Sequence, residues 1–126
     1  MNPQLPQTNF AAFFLLLIGR RKRFKIVGQS MLPLLKQGEE ILINPHAYSK
    51  SRPKINDVVV TSHPWDAQLT IVKRVTEVAI NGSYFLRGDN PESSTDSRQW
   101  GFVPERNLSG KAAYLYWPFA LCSGSI

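Results

Sequence analysis

From residue 24 onward, short runs of β-branched and aromatic residues alternate with residues that form turns. Runs of this kind, bounded by Gly, Pro, Asn or Asp, are typical of β-strands. We predict six strands, over residues 24–27, 40–44, 57–62, 70–78, 83–87 and 111–117. Asn81-Gly82 lies between two of them and is the strongest hairpin signal in the chain. Because no run after residue 19 keeps a helical period beyond two turns, the sequence predicts a small, mostly antiparallel β domain.

The composition is that of a single globular domain. Of the 126 residues, 43% are hydrophobic and 19% are charged, which is enough apolar material for a core without disulfides or metals. The single cysteine, Cys122, cannot form an internal disulfide. The two histidines, His46 and His63, lie in separate turns, and no group of carboxylates has the spacing of metal ligands. We therefore expect neither a metal ion nor another cofactor.

A short apolar segment precedes the β-rich part of the chain. Residues 10–19 are almost wholly apolar, but a helix that spans a bilayer needs about 20 such residues. Positive charges follow the segment, in Arg20-Arg21-Lys22-Arg23, whereas a secretory signal carries them in front. Two interpretations stay open: a helix that lies in a membrane interface, or one that packs on the domain. The basic cluster attracts anionic lipid and favours the first slightly.

The same cluster bears on location and on the organisation of the chain. If the apolar segment entered a bilayer, the basic residues would hold the following domain on the cytoplasmic side. The formal net charge of +6 suits an acidic surface, although part of it belongs to this one cluster. We divide the chain into an arm, apolar segment and basic cluster over 1–23, a β domain over 24–118 and a tail over 119–126.

Ser30 is the first candidate for chemistry. It follows the apolar run 24–27 and Gly28, and it precedes the turn residues Leu32-Pro33. A serine at the end of a strand and before a stiff turn is presented rigidly to a bound chain. The ordinary interpretation of such a motif in isolation is a turn serine that caps a short helix.

Lys73 is the second candidate. Alternate residues of a strand share a face, so Ile71, Lys73 and Val75 point the same way. A lysine between two apolar neighbours loses hydration, which lowers its pKa and favours the neutral amine. A neutral amine can accept the proton of Ser30 and later donate one to a leaving amine. The alternative is a side chain that extends along the strand to reach solvent.

A polar stretch over residues 88–101 is the third candidate, and by default it is a surface loop. Asp96 and Arg98 are two residues apart and can form a charge-assisted pair that braces the loop. A nearby hydroxyl such as that of Ser94 can then hold the lysine amine in position.

The motifs in these stretches stand in a fixed order along the chain. They are Ser30-Met31-Leu32-Pro33, Lys73-Arg74-Val75, Gly88-Asp89-Asn90, Ser94-x-Asp96-Ser97-Arg98, Gly101-x-Val103-Pro104 and Gly110-Lys111-Ala112. Each is a weak to moderate signal alone. In this order, and over roughly residues 24–117, they resemble the signal peptidase I family of serine–lysine peptidases.

The resemblance implies a β-rich catalytic domain and a role for each candidate residue. Ser30 would be the nucleophile and Lys73 the general base. Ser94 would orient the lysine, and Asp96 and Arg98 would support that loop.

The resemblance also implies where the oxyanion and the substrate lie. The oxyanion hole would use the backbone N–H of Ser30, and some relatives add a hydroxyl at the position that Gly28 occupies here. The substrate would extend between residues 25–27 and 70–72 and pair with them as an added strand. Small pockets for side chains before the cut would form near three apolar residues, Val27, Met31 and Val72.

The chain departs from many bacterial signal peptidases in several respects: the Gly-x-Pro-Gly-Asp run that often follows the lysine motif is missing, we expect no full membrane anchor, and the spacing after that motif is short. Only twelve residues, 76–87, separate Val75 from Gly88, so a large inserted β-subdomain is missing. A short relative of this kind is similar to the nickel-type superoxide dismutase maturation protease branch, which removes an N-terminal leader in the cytosol. We therefore predict a cytoplasmic serine endopeptidase that acts on a precursor polypeptide, namely nickel superoxide dismutase. Contact with an anionic membrane through the N-terminal segment stays open.

Three alternatives compete with this prediction. A small type I signal peptidase that processes secretory preproteins is the first. A LexA-type self-cleaving domain would need a scissile segment and a DNA-binding domain, for which residues 1–23 are too short and too apolar. A non-catalytic basic module that binds nucleic acid or lipid would interleave basic and aromatic residues on one face. Here the basic residues cluster before the β domain instead, so we expect no nucleic acid partner.

Overall fold

Seven antiparallel strands form one sheet. A computed structural model describes residues 22–117 together with Leu5 and Ala11, and it describes side chains as far as residue 113. The sheet order is β1-β2-β7-β3-β4-β5-β6, and neighbouring strands are antiparallel throughout. The strands are β1 (Lys22–Lys25), β2 (Glu40–Asn44), β3 (Val58–His63), β4 (Asp66–Val78), β5 (Ser83–Arg87), β6 (Val103–Pro104) and β7 (Leu108–Trp117). The predicted mostly antiparallel β fold is confirmed.

All six predicted strands are present, but some of them begin or end at other residues than predicted. β2 and β5 have the predicted bounds, whereas β1 ends at Lys25 and not at residue 27. Val27 is 83% exposed, since the chain turns away from the sheet after Ile26. β4 begins four residues before the predicted residue 70 because its pairing with β3 continues to the pair His63 and Asp66. The extension, Asp66-Ala67-Gln68-Leu69, is exposed and has no β-branched or aromatic residue, so it carries no strand signal.

Four short elements were not predicted. They are β6, a four-residue helix, α1 (Ser97–Trp100), and two 3-10 helices of three residues each, Pro91–Ser93 and Glu105–Asn107. None is long enough to show a period of 2 or 3.6 residues in the sequence. The predicted hairpin at Asn81-Gly82 is confirmed, because β4 and β5 are joined by a tight turn in which the Gly82 N–H donates to Ala79 O at 3.0 Å.

Apolar clusters cover both faces of the sheet, as successive residues of β3 show. Val58 and Val60 belong to one cluster and Val59 belongs to the other. The first cluster comprises Ile26, Met31, Leu35, Ile41, Ile43, Val58, Val60, Val72 and Ala112. The second comprises Val59, Val75, Tyr84, Leu86 and Val103. Lys73 is paired with Val59 across the sheet, so it lies on the side of the second cluster, one residue from Val72 in the first.

Some of the predictions concern residues outside the described part of the chain. These are the N-terminal helix over 10–19, of which only Ala11 is described and is helical, and the tail over 119–126. The division of the chain into three parts therefore stays a prediction. Among the described helices, none has the length and apolar character to cross a bilayer.

Candidate active site

A pocket of about 370 Å³ brings the two candidate catalytic residues together. It lies between the segment that follows β1 and the first half of β4. Ser30 and Lys73 both line it, and so do all three predicted substrate-binding residues, Val27, Met31 and Val72. The remaining lining residues are Phe24, Ile26, Leu69, Thr70 and Ile71.

The turn that carries Ser30 is held by its neighbours on both sides. Gly28 has a φ of +83°, a conformation that strains any residue with a side chain. The Leu32 N–H donates to Gln29 O at 3.2 Å, and the Leu32–Pro33 peptide bond is cis. Met31 is 2% exposed and packs in the first apolar cluster. Since Met31 is anchored in the core, the preceding serine is presented at the pocket wall.

Lys73 is buried, with only 4% of its surface exposed. The alternative of a side chain that reaches solvent is therefore wrong. Burial lowers the pKa of the Lys73 amine; the nearby Asp96 carboxylate raises it in part, and Arg98 lowers it further. Lys73 Nζ donates a hydrogen bond of 3.0 Å to the Ser94 hydroxyl.

Asp96 is the centre of the loop that holds this hydroxyl. Its carboxylate accepts from Ser94 Oγ at 2.7 Å, from the Gly88 N–H at 3.0 Å and from Arg98 Nε at 2.9 Å. It also caps the N-terminus of α1 by accepting from the Arg98 N–H. Burial alone would raise the pKa of Asp96, but the hydrogen bonds from Arg98, Ser94 and Gly88 together hold it well below its usual range. The carboxylate is therefore ionised at neutral pH.

The position of the Ser94 proton determines which group donates in its hydrogen bond with Lys73. A hydroxyl has one proton to donate, and Ser94 donates it to Asp96. The bond between Lys73 and Ser94 must then run from an amine N–H to the serine oxygen. A neutral amine held by one N–H keeps its lone pair for another partner in the pocket, which Ser30 also lines.

The loop and the turn that carries Ser30 lie in close contact at Gly88. A side chain at this position would collide with the Ser94 hydroxyl and with the carbonyl oxygen of Ser30. Glycine is therefore required here for space rather than for its backbone angles.

Sequence reasoning assigned no role to three residues that the structure places beside the site. Arg74 and Asp89 form a buried ion pair of 2.9 Å, and their side chains are only 3% and 4% exposed. Asn90 hydrogen-bonds to the turn that carries Ser30. The sequence does carry a signal for Arg74. It follows Lys73, which is predicted to be buried on one face of a strand, so Arg74 lies on the opposite face. Because both faces of this strand are covered, Arg74 is buried as well.

His46 and His63 do not line the pocket. Within residues 22–113, no group of three or more His, Cys, Asp or Glu side chains is placed to hold a metal ion.

Comparison with known proteins identifies the family. The chain matches the family described as signal peptidase, peptidase S26, over residues 7–80 and 76–117. It is 26% identical to a probable signal peptidase I-1 of Synechocystis over 136 residues, covering 74% of this chain and 69% of that protein. It is 42% identical to a signal peptidase I of Buchnera aphidicola over 65 residues, covering 52% of this chain and 20% of that protein. A probable thylakoidal processing peptidase 2 of Arabidopsis thaliana is 23% identical over 136 residues, covering 74% of this chain and 37% of that protein.

The form of these matches agrees with the expected missing subdomain. The two matched segments meet at residues 76–80, at the end of β4 and the start of the hairpin to β5. The alignment with the Synechocystis protein has 136 positions, more than the 126 residues of this chain, although only 74% of the chain is aligned. That relative therefore has additional residues within the aligned region. The chain belongs to the signal peptidase, peptidase S26, family.

Proposed function

We propose that this chain is a serine endopeptidase that removes an N-terminal leader from a precursor polypeptide. Ser30 is the nucleophile and Lys73 the general base. The observation that carries the proposal is the buried Lys73 amine, which donates to Ser94 and lines the same pocket as Ser30. A lysine that is dehydrated and oriented in this way has the properties of a base at neutral pH.

The reaction follows from these positions. Ser30 Oγ attacks the carbonyl carbon of the scissile peptide while Lys73 Nζ takes its proton, and the carbonyl oxygen becomes an oxyanion near the Ser30 N–H. Lys73 returns the proton to the leaving amine, which departs and leaves an acyl group on Ser30. Lys73 then takes a proton from water as the water attacks the acyl carbon, and returns it to Ser30 Oγ when the second product leaves.

An open strand edge supports binding of an extended substrate. β5 pairs with β4 only from Arg74 onward, so among the described strands residues 70–72 have a partner in β3 and none on the other side. A peptide that adds to this edge forms backbone hydrogen bonds, and alternate side chains point into the pocket. Met31 and Val72 are buried and line this pocket, so we expect them to favour small side chains there.

The choice of substrate rests on the relatives. Their names, signal peptidase I and thylakoidal processing peptidase, favour secretory or translocated preproteins over the nickel superoxide dismutase precursor. We therefore place the general preprotein first and keep the dismutase precursor as the second candidate. Cytoplasmic location stays a prediction that belongs to the second candidate, and contact with an anionic membrane stays a prediction for either.

Co-expression with each precursor tests the proposal. Wild type and Ser30→Ala are co-expressed separately with a secretory preprotein and with a nickel superoxide dismutase precursor, and each product is measured by intact mass. We expect wild type to remove the preprotein leader and Ser30→Ala to leave it in place. Ser93→Ala, an exposed serine next to Ser94, serves as the matched control and should cleave like wild type. Cleavage by Ser30→Ala would contradict the assignment of the nucleophile.

The pH dependence of cleavage tests the base separately. Only the neutral amine of Lys73 accepts a proton, so kcat/KM should rise with pH as the amine loses its proton. Because burial lowers the pKa of Lys73, the midpoint of this rise should lie below 10.5, the ordinary value for lysine. Measurement of kcat/KM on a precursor peptide between pH 5 and 10 provides the profile. A rate that falls as pH rises through this range would be incompatible with a lysine base.

A further inference from the structure

Asn90 holds two consecutive carbonyl groups of the turn that carries Ser30. Its side-chain Nδ2 donates to Gln29 O at 3.0 Å. Its backbone N–H donates to Ser30 O at 2.9 Å. One residue of a different loop therefore fixes the peptide units on both sides of Ser30.

The first of these bonds determines the direction of a specific N–H group. Gln29 C=O and Ser30 N–H belong to the same peptide unit, which is planar and trans, so the two groups point in opposite directions. When Asn90 fixes the carbonyl oxygen, it also fixes where the Ser30 N–H points. The Leu32 N–H donates to the same carbonyl at 3.2 Å, but that bond lies within the turn and moves with it.

The Ser30 N–H matters more in this chain because Gly28 has no side chain. Gly28 therefore contributes no hydroxyl to an oxyanion, and the backbone donor of Ser30 carries more of the stabilisation. A hydrogen bond to the carbonyl oxygen also polarises the peptide unit and strengthens its N–H as a donor.

We propose that Asn90 is a positioning residue for the oxyanion hole, because it orients the peptide unit whose N–H receives the developing negative charge. The inference rests on the proposed peptidase function. Asn90 acts through the peptide of Ser30 and does not itself touch the reacting atoms.

The anchorage of Asn90 makes it suitable for this role. The preceding residue, Asp89, is bound to the buried guanidinium of Arg74 by two hydrogen bonds, of 2.9 and 3.0 Å. Arg74 follows Lys73 on β4. The loop that orients the Ser30 peptide is thereby fixed to the strand that carries Lys73. The turn of the nucleophile and the strand of the base are therefore held in a fixed arrangement relative to each other.

Enzyme kinetics and a tetrahedral adduct test the proposal together. The variants are Asn90→Ala, Asn90→Asp and the control Glu92→Gln, an exposed residue of the same loop. Each is measured for kcat and KM on the preprotein cleaved by wild type. Each is also measured for its affinity for a peptide aldehyde ending in alanine and for the matching peptide alcohol. Ser30 Oγ adds to the aldehyde carbon, and the former carbonyl oxygen then takes the oxyanion position, whereas the alcohol forms no such adduct.

Loss of one oxyanion donor costs about 10²–10³-fold in kcat, and a misdirected donor should cost less. We therefore expect Asn90→Ala and Asn90→Asp to lose about 10–100-fold in kcat, with KM within about twofold of wild type. Affinity for the aldehyde should fall in proportion to kcat. Affinity for the alcohol and the Tm should match those of wild type and Glu92→Gln.

Three results would overturn the inference. A kcat for Asn90→Ala equal to that of wild type would overturn it and leave the proposed function intact. A loss of aldehyde affinity matched by an equal loss of alcohol affinity or by a lower Tm would show a merely structural role. A wild type that cleaves no precursor would overturn the proposed function and this inference with it.

Discussion

We expect Lys73→Arg to cleave a precursor about 10³–10⁴-fold more slowly than wild type, at the upper end of what loss of a general base costs. A guanidinium stays protonated at every pH that the protein tolerates, so it cannot accept the proton of Ser30. The measurement is single-turnover cleavage of a precursor peptide at several pH values. Appreciable activity in this variant would contradict the mechanism.

Two variants separate this loss from a loss of fold. Lys73→Met keeps the length of the side chain and removes its charge, so it should be inactive and at least as stable as wild type, because burial of an ammonium group opposes folding. Lys54→Arg, at an exposed lysine, is the matched control and should leave cleavage unchanged. If Lys73→Met unfolded, the side chain would have a structural role that the base assignment does not include.

Chemical restoration gives a stricter test of the proposed role of Lys73 as the base. Lys73→Cys is made together with Cys122→Ser, which removes the only other thiol of the chain. Alkylation of the unfolded protein with 2-bromoethylamine restores a side chain of lysine length whose amine is more acidic because of the sulfur atom. Refolded protein should regain cleavage, and its pH profile should shift to lower pH. A purely structural lysine would produce no such shift.

The burial of Lys73 could be predicted because strand geometry needs only local information. The alternation of Ile71, Lys73 and Val75 places the lysine on an apolar face whatever the partner strands are. Its contact with Ser94 was a possibility from the residues and was assigned only through the resemblance, since 21 residues separate the two in sequence. The intervening residues carry no sequence signal for the distance between the loop and the strand.

The contacts of Asp89 and Asn90 could not be predicted for the same physical reason. They join loops that are distant in sequence, and polar residues in such a loop are equally compatible with a solvated surface. The predicted ends of some strands were wrong for a different reason. The start of β4 is set by pairing with β3 at exposed positions, where side chains carry little signal.

The buried ion pair between Arg74 and Asp89 should have the largest effect on stability. Removal of one partner from a buried pair leaves a dehydrated charge and costs about 3–5 kcal/mol. We therefore expect Asp89→Asn to lower the free energy of unfolding by about that amount. The matched control is Glu40→Gln, in the pair of Arg23 and Glu40, whose side chains are 56% and 26% exposed. An exposed pair contributes about 0–1 kcal/mol, so this variant should unfold almost like wild type.

Urea unfolding of both variants provides the comparison, and a double variant tests the cause. Arg74→Met with Asp89→Asn removes both charges, so it should recover part of the stability that Asp89→Asn loses. The double variant also removes the guanidinium's other contacts, such as its 2.7 Å bond to Asn56 O. If it were less stable than Asp89→Asn, those contacts would contribute more to stability than the uncompensated charge costs. Because the pair fixes the loop that carries Asn90, Asp89→Asn should lose stability and kcat together. Asn90→Ala should lose kcat alone. This contrast separates the contribution of the ion pair, which stabilises the whole loop, from that of Asn90, which orients one peptide unit.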